Sequence, residues 1–272
     1  MSDSYTVYRN AVRGGWADWW LTWPLVERVA VGDVLHNVGG QVRAAGALSD
    51  RGVNFSLRPG VPRKDYLHDA QGTVSVRFKT AGVAMDGFTA LAVADLGAAV
   101  EFTKSKSALV VYTGLAESGV ADHPALAAEL VRLSWDTWDD SLLAVSQVVT
   151  AQSGILMTSA ASMASAEVRL HAGAGQAQLG LADLAAKASI LRAEGLSERW
   201  TGGKCTPFFR VVRLRKRWFR DAEADYAPRQ PGRGAGPVPV PPVLLEEALD
   251  DPDAVLETVE PEEQLGSEPS GQ

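Results

Sequence analysis

Residues 73–79, TVSVRFK, alternate Val74, Val76 and Phe78 with Ser75, Arg77 and Lys79, the period of a strand covered on one face. Residues 88–115, FTALAVADLGAAVEFTKSKSALVVYTGL, read as two further strands around a KSKS turn. The period lengthens at 122–134, DHPALAAELVRLS: Asp122 is placed to cap a helix, Pro124 suits its first turn, and Leu126, Leu130 and Leu133 share a face. Residues 141–166, SLLAVSQVVTAQSGILMTSAASMASA, carry no charged side chain and are too rich in Ser, Thr and Gln for a spanning helix. They have room for two strands, either a buried hairpin of a soluble α+β domain or membrane strands whose lipid face alternates with a polar one.

The segment GGWADWWLTWPL, residues 14–25, holds Trp16, Trp19, Trp20 and Trp23. Their spacing is i, i+3, i+4 and i+7, which predicts a helix with all four rings in one arc, since a strand would divide them between its faces. Two sinks suit such an arc: the protein's own core, or the headgroup layer of a membrane, where indole is apolar in body and polar at its N–H. A last strand is expected at 206–220, TPFFRVVRLRKRWFR. There Arg213, Arg215, Lys216 and Arg217 stand beside Trp218, a mixture that favours a polyanionic surface.

Charge divides the chain in two. Residues 221–272 set Arg229 and Arg233 against thirteen acids, a net charge of −11, so the remainder carries +4 of the overall −7. The tail opens as a Pro- and Gly-rich linker, APRQPGRGAGPVPVPP, and continues with an apolar stripe, Val243, Leu244, Leu245 and Leu249, fit to dock on a body of opposite charge. The start, MSDSYTVYRN, lacks the pattern of a secretory signal, no run of 18 apolar residues occurs, and Cys205 is the single cysteine. A cytoplasmic protein is expected.

Enzymatic chemistry finds little support. His36, His68, His123 and His171 have no metal-ligand spacing, and neither a G-x-S-x-G elbow nor a phosphate-binding glycine loop occurs. No catalytic residue, metal or cofactor is expected.

The order of elements, with VGDVL (31–35), ADLGAAVEFTKSKSALVVYTGL (94–115), a connecting helix, the block 139–170 and GLSERWTGGKCTPFFRVVRL (195–214), resembles the pore-forming domain of gasdermins, the compact bacterial members above all. The resemblance covers about residues 5–220 and rests on no short diagnostic motif. It implies an α+β fold, a twisted antiparallel sheet with peripheral helices, held inactive by the acidic, Pro-rich segment 221–272. It further implies activation by a protease, with Arg229 and Arg233 as candidate cleavage positions, then binding to the anionic inner membrane. The freed domain, monomeric before and oligomeric after, would insert hairpins from 81–100 and 141–166 and kill the infected cell as an antiphage defence. The bacterial members carry a lipid-modified cysteine near the N-terminus; none stands there in this chain, and Trp16, Trp19, Trp20 and Trp23 occupy that region as an alternative anchor, with the basic strand as a second contact. The competing reading is a β-rich binding module, no pore, whose basic strand meets nucleic acid or a protein and whose acidic tail competes for it.

Overall fold

The computed structural model describes residues 3–38, 41–70, 72–136, 139, 141–171, 179–185, 188–226 and 239–261. Along the chain come α1 (Asp3–Trp16), β1 (Trp20–Leu21), the hairpin β2 (Asp33–Val38) and β3 (Gln41–Ala47), then β4 (Leu57–Pro62), β5 (Tyr66–His68) and β6 (Val74–Lys79). There follow β7 (Gly97–Phe102), β8 (Ala108–Thr113), β9 (Ala116–Val120), α2 (His123–Asp136), β10 (Leu142–Ala151), β11 (Ser153–Ser159) and β12 (Ala164–Leu170). The chain continues through α3 (Leu181–Ala185), β13 (Ala188–Glu194), β14 (Leu196–Gly202), β15 (Cys205–Leu214), α4 (Lys216–Tyr226), α5 (Pro242–Asp250), α6 (Pro252–Val255) and β16 (Leu256–Thr258). The fold is α+β, and every strand pair is antiparallel, as expected.

By hydrogen bonding the strands form three sheets, yet the pairing describes four long segments lying side by side in chain order: 57–79, 97–120, 142–170 and 188–214. Between the two middle segments the register is unbroken. Gly97 faces Arg169 and Phe102 faces Ala164; Ala108 faces Thr158 and Thr113 faces Ser153; Ala116 faces Thr150 and Gly119 faces Gln147. Neither segment gains a residue on the other across the two interruptions. The outer segment 57–79 follows its neighbour closely, from Lys79 opposite Gly97 to Leu57 opposite Val120. On the other side, Gly195 turns with φ +65 where the neighbouring strand spends residues 160–163, and Ala160 N–H donates to its carbonyl at 2.9 Å. Ser159, fully enclosed, ties the first interruption together: its hydroxyl donates to Lys104 O at 2.9 Å and accepts from Ser107 N–H at 3.0 Å.

The middle segments are buried along most of their length, which explains why ALVVYT and LLAVSQVVTA read as nearly continuous apolar runs. Residues 141–166 are therefore not a two-stranded hairpin: β10 and β11 follow one another along one segment, and each pairs with other strands. In 81–100 only the end is strand; residues 80–96 form an irregular strap and β7 begins at Gly97. Helix α2 matches its expectation, with Asp122 accepting Ala125 N–H at 2.9 Å and Leu126 and Leu130 buried. β6, β7 and β8 also lie where alternation and the KSKS turn place them.

The tryptophan helix is corrected. A helix does form at the N-terminus, but earlier, burying Tyr5, Tyr8 and Val12, and it ends at Trp16 just after Gly14 and Gly15. Trp20 then enters a strand against Phe209, and Pro24 restrains the backbone of Trp23 from a helical state. The rings part accordingly: Trp16, Trp19 and Trp23 join the cluster around Tyr8 and Phe208, whereas Trp20 lies across the sheet among Leu143, Val148 and Val211. Trp19 and Trp20 are buried, Trp16 stacks on Phe208 at 4.2 Å, and Trp23 stacks on Tyr8 at 5.8 Å. Replacing Trp20 by Ala is expected to lower the unfolding free energy by about 3–5 kcal/mol in urea titration. Val26→Ala, at a side chain 71% exposed, should change it by less than about 0.5 kcal/mol.

Candidate functional site

The acidic tail lies against the body at three points. Helix α5, begun by Pro241 and Pro242, packs on α2 and buries Leu244 and Ala248 in the cluster formed by Ala127, Leu130 and Val131. Asp251 caps the short α6 by accepting Ala254 N–H at 3.2 Å, and Val255 and Leu256 enter the same cluster. β16 then pairs with the outer edge of β15, Leu256 opposite Leu214 and Thr258 opposite Val212. Val259 N–H donates to Val211 O at 3.1 Å, and the Trp20 indole N–H donates to Val259 O at 2.7 Å.

The basic residues meet this tail unequally. The expected strand 206–220 ends at Leu214, and 216–226 is helix, so Arg213, Arg215, Lys216, Arg217 and Trp218 do not share a strand face. Arg213 is mostly buried and donates from Nε to Glu257 at 2.6 Å; Arg215 donates from Nη2 to Asp253 O at 2.8 Å and from its backbone N–H to Val255 O at 2.8 Å. Lys216 and Arg217 are exposed at the start of α4, Arg217 lying 3.9 Å from Asp221, and Trp218 is half-buried against the α2 cluster. The apolar stripe is corrected as well: Leu244 is buried and Leu245 packs at the margin, while Val243 and Leu249 are each 47% exposed. Leu244 is followed on the covered face by Ala248 instead, the i+4 position, too small to stand out in a hydropathy pattern. Val255, Leu256, Glu257 and Val259 carry the rest of the contact, and no alternation of apolar and polar residues marks them in the sequence. Arg229 and Arg233 lie outside the described residues.

A second feature is the strap 80–96, held to the sheet by charged side chains, Lys79 and Glu167 foremost. Lys79, 2% exposed, donates to the carbonyls of Ala92, Val93 and Asp95 at 2.8–3.0 Å. Glu167 accepts the Thr89 hydroxyl at 2.7 Å and the N–H groups of Thr89 and Ala90 at 2.8–3.0 Å. Asp95 accepts Arg169 at 3.0 Å. Burial pushes the Glu167 carboxyl up, but the hydrogen bonds from the Thr89 hydroxyl and the backbone outweigh it and hold the group below the usual carboxylate range. Neither anchor is marked in the sequence, because Lys79 and Glu167 look no different there from the more exposed charges Arg77 and Arg169 of the same strands.

Among the described residues no group of three or more His, Cys, Asp or Glu is placed to hold a metal ion. No described helix is long and apolar enough to cross a membrane. No family model and no curated protein matches the chain.

Two measurements check these contacts. A double-mutant cycle on Arg213→Gln and Glu257→Gln should give a coupling of about 1 kcal/mol in urea unfolding; a value near zero would mean that the pair does not hold the tail. Because the Glu167 pKa is lowered by folding, its contribution is complete above the unfolded value of about 4.3 and fades as pH falls through the lower folded value. Hydrogen-exchange protection of Thr89 and Ala90 amides should fade in that acid range while β10 amides stay protected.

Proposed function

We propose that this chain is the precursor of a membrane-perforating cell-death effector of the gasdermin kind, kept inactive by its tail and activated when a protease cuts the connection before α5. The observation that carries the reading is the docking of the tail on α2 and on the outer edge of β15 across a Pro- and Gly-rich connection. Leu244, Val255, Leu256 and Val259 each contribute up to about 1.5–3 kcal/mol of apolar burial. While the connection is intact, the tail rebinds at an effective concentration on the order of millimolar. After a cut it rebinds only at its bulk concentration, and association then costs several kcal/mol more.

Of the two expected inserting segments the first, 81–100, stands nearly unchanged, and 141–166, which is strand along one segment, gives way to the connection between β12 and β13. Both 80–96 and 171–187 connect neighbouring strands at the same end of the four-segment sheet, the first between β6 and β7, the second between β12 and β13. Asp86 is the only charge in the first between Lys79 and Asp95, and Asp86-Gly87 is a turn with Gly87 at φ +86, the sequence favoured by a tight hairpin. Refolded around such a turn, the strap supplies about seven residues per strand, which with the ends of β6 and β7 reaches the ~9–11 residues that cross a bilayer. Release of Lys79 and Glu167 from the strap is the local cost of that change. Anionic phospholipid is the proposed target surface, the inner membrane the proposed destination from the cytoplasm, and other copies of the chain the proposed partners in the pore.

A protein with a specific protease site placed in the connection should release dye from anionic vesicles only after cutting. Arg at one of the adjacent positions Val83 and Ala84 should abolish release and at the other leave it nearly intact, since lipid-facing Arg costs about 2–4 kcal/mol near the midplane. Both positions are exposed in the precursor, so neither change disturbs its fold. Equal release from the two variants would refute a spanning strand in the strap.

A further inference from the structure

Away from the tail, a cleft of about 1000 Å³ opens on the sheet at its second interruption. Ala116 and Ser118 on β9 and Val148 and Thr150 on β10 form its floor; register sets them opposite one another, so they share a face. Val29 and Val31 make one wall and continue the apolar cluster of Trp20 and Val211, while Leu57 belongs to the other wall, on β4. Leu57 is 60% exposed. Among the described residues the charged groups of the lining are Arg28, Arg58 and Lys204, with no acid among them. Arg58 stands opposite Gly119 and reaches Glu117 at 3.4 Å, on the face of the sheet away from the floor, which leaves Arg28 and Lys204 to the cleft.

We propose that this cleft binds a free, long-chain carboxylate, its hydrocarbon lying over Val148 and its head beside Arg28 and Lys204. The volume is at the upper end of the ~300–1,000 Å³ of small-molecule sites, and an apolar trough with two cations in its lining suits an elongated anion better than a compact one. Cys205 also lines the cleft, but burial pushes its thiol up to about 12, so the thiolate is not formed at neutral pH and the ligand is held without a covalent bond. Among the described residues no lining residue belongs to the tail or the strap, so the site is tested independently of the proposed pore.

The test titrates the intact chain with a fluorescent hexadecanoate and, in parallel, with its methyl ester. Saturable one-to-one binding is expected, displaced by unlabelled hexadecanoate, with the ester about tenfold weaker or worse. Arg28→Gln with Lys204→Gln should remove that preference and leave ester binding unchanged. Thr150→Trp, at an exposed floor position, should abolish binding of both probes with its melting temperature unchanged; Ser118→Phe serves the same purpose if the first variant is unstable. Equal affinity for acid and ester, or undiminished binding to a folded Thr150→Trp or Ser118→Phe protein, would overturn the proposal. So would flotation of the intact chain with anionic phospholipid vesicles that Thr150→Trp abolishes, because the cleft would then serve a bilayer lipid.

Discussion

A strand that crosses from one sheet to the next carries its hydrogen-bonding partners with it or leaves them unpaired. Buried unpaired N–H and C=O groups cost about 1–3 kcal/mol each, so long neighbouring strands must interrupt their pairing at matching places. Segments 97–120 and 142–170 obey that constraint with one register from Gly97 to Gly119. Everything else is arranged around this pair. Helix α1 seals one face through Tyr8, whose hydroxyl meets that of Tyr112 at 2.9 Å. The hairpin β2–β3 and β16 extend the sheet where β10 and β15 run past the end of β9, and β1 adds to β15 at the level of β9 itself.

The two outer segments answer the open-edge problem in different ways. β4 is exposed throughout and carries Pro59 and Pro62, which offer no N–H to an incoming strand. On the opposite flank the outer edge of β15 is taken by β1 at Phe208 and Phe209 and by β16 from Val212 to Leu214. One edge is thus guarded by composition, the other by pieces of the same chain. The covering is also electrostatic, since Glu257 of the −11 tail meets Arg213 of the +4 body.

Much of this was legible in the chain, and the failures have a common form. Alternation located β6, and capping with leucine spacing located α2, because each is decided by neighbours a few residues away. Spacing misled at the tryptophans: i, i+3, i+4, i+7 is a helical pattern, but Gly14, Gly15 and Pro24 bound it, and pairing of Trp20 with Phe209 decides the local conformation. Likewise 206–220 looked like one basic strand because nothing in its composition marks Arg215 as the point where sheet gives way to helix. At the tail, charge and hydropathy identified a docking segment and Leu244 within it, but the backbone partners of Val255, Leu256 and Val259, namely Arg215, Leu214 and Val211, are forty or more residues away in the chain, beyond the reach of any local pattern.

The hydrogen bond from Trp20 to the Val259 carbonyl joins the tail to a side chain whose ring is enclosed on the far face from α1. An indole has one donor and no acceptor, and this one has no exposed surface through which solvent could replace the carbonyl. Departure of the tail strips that donor of its partner. Either a water molecule is admitted into an apolar cluster or the ring turns out of its seat, so loss of the terminal strand becomes a change in the hydration of the interior.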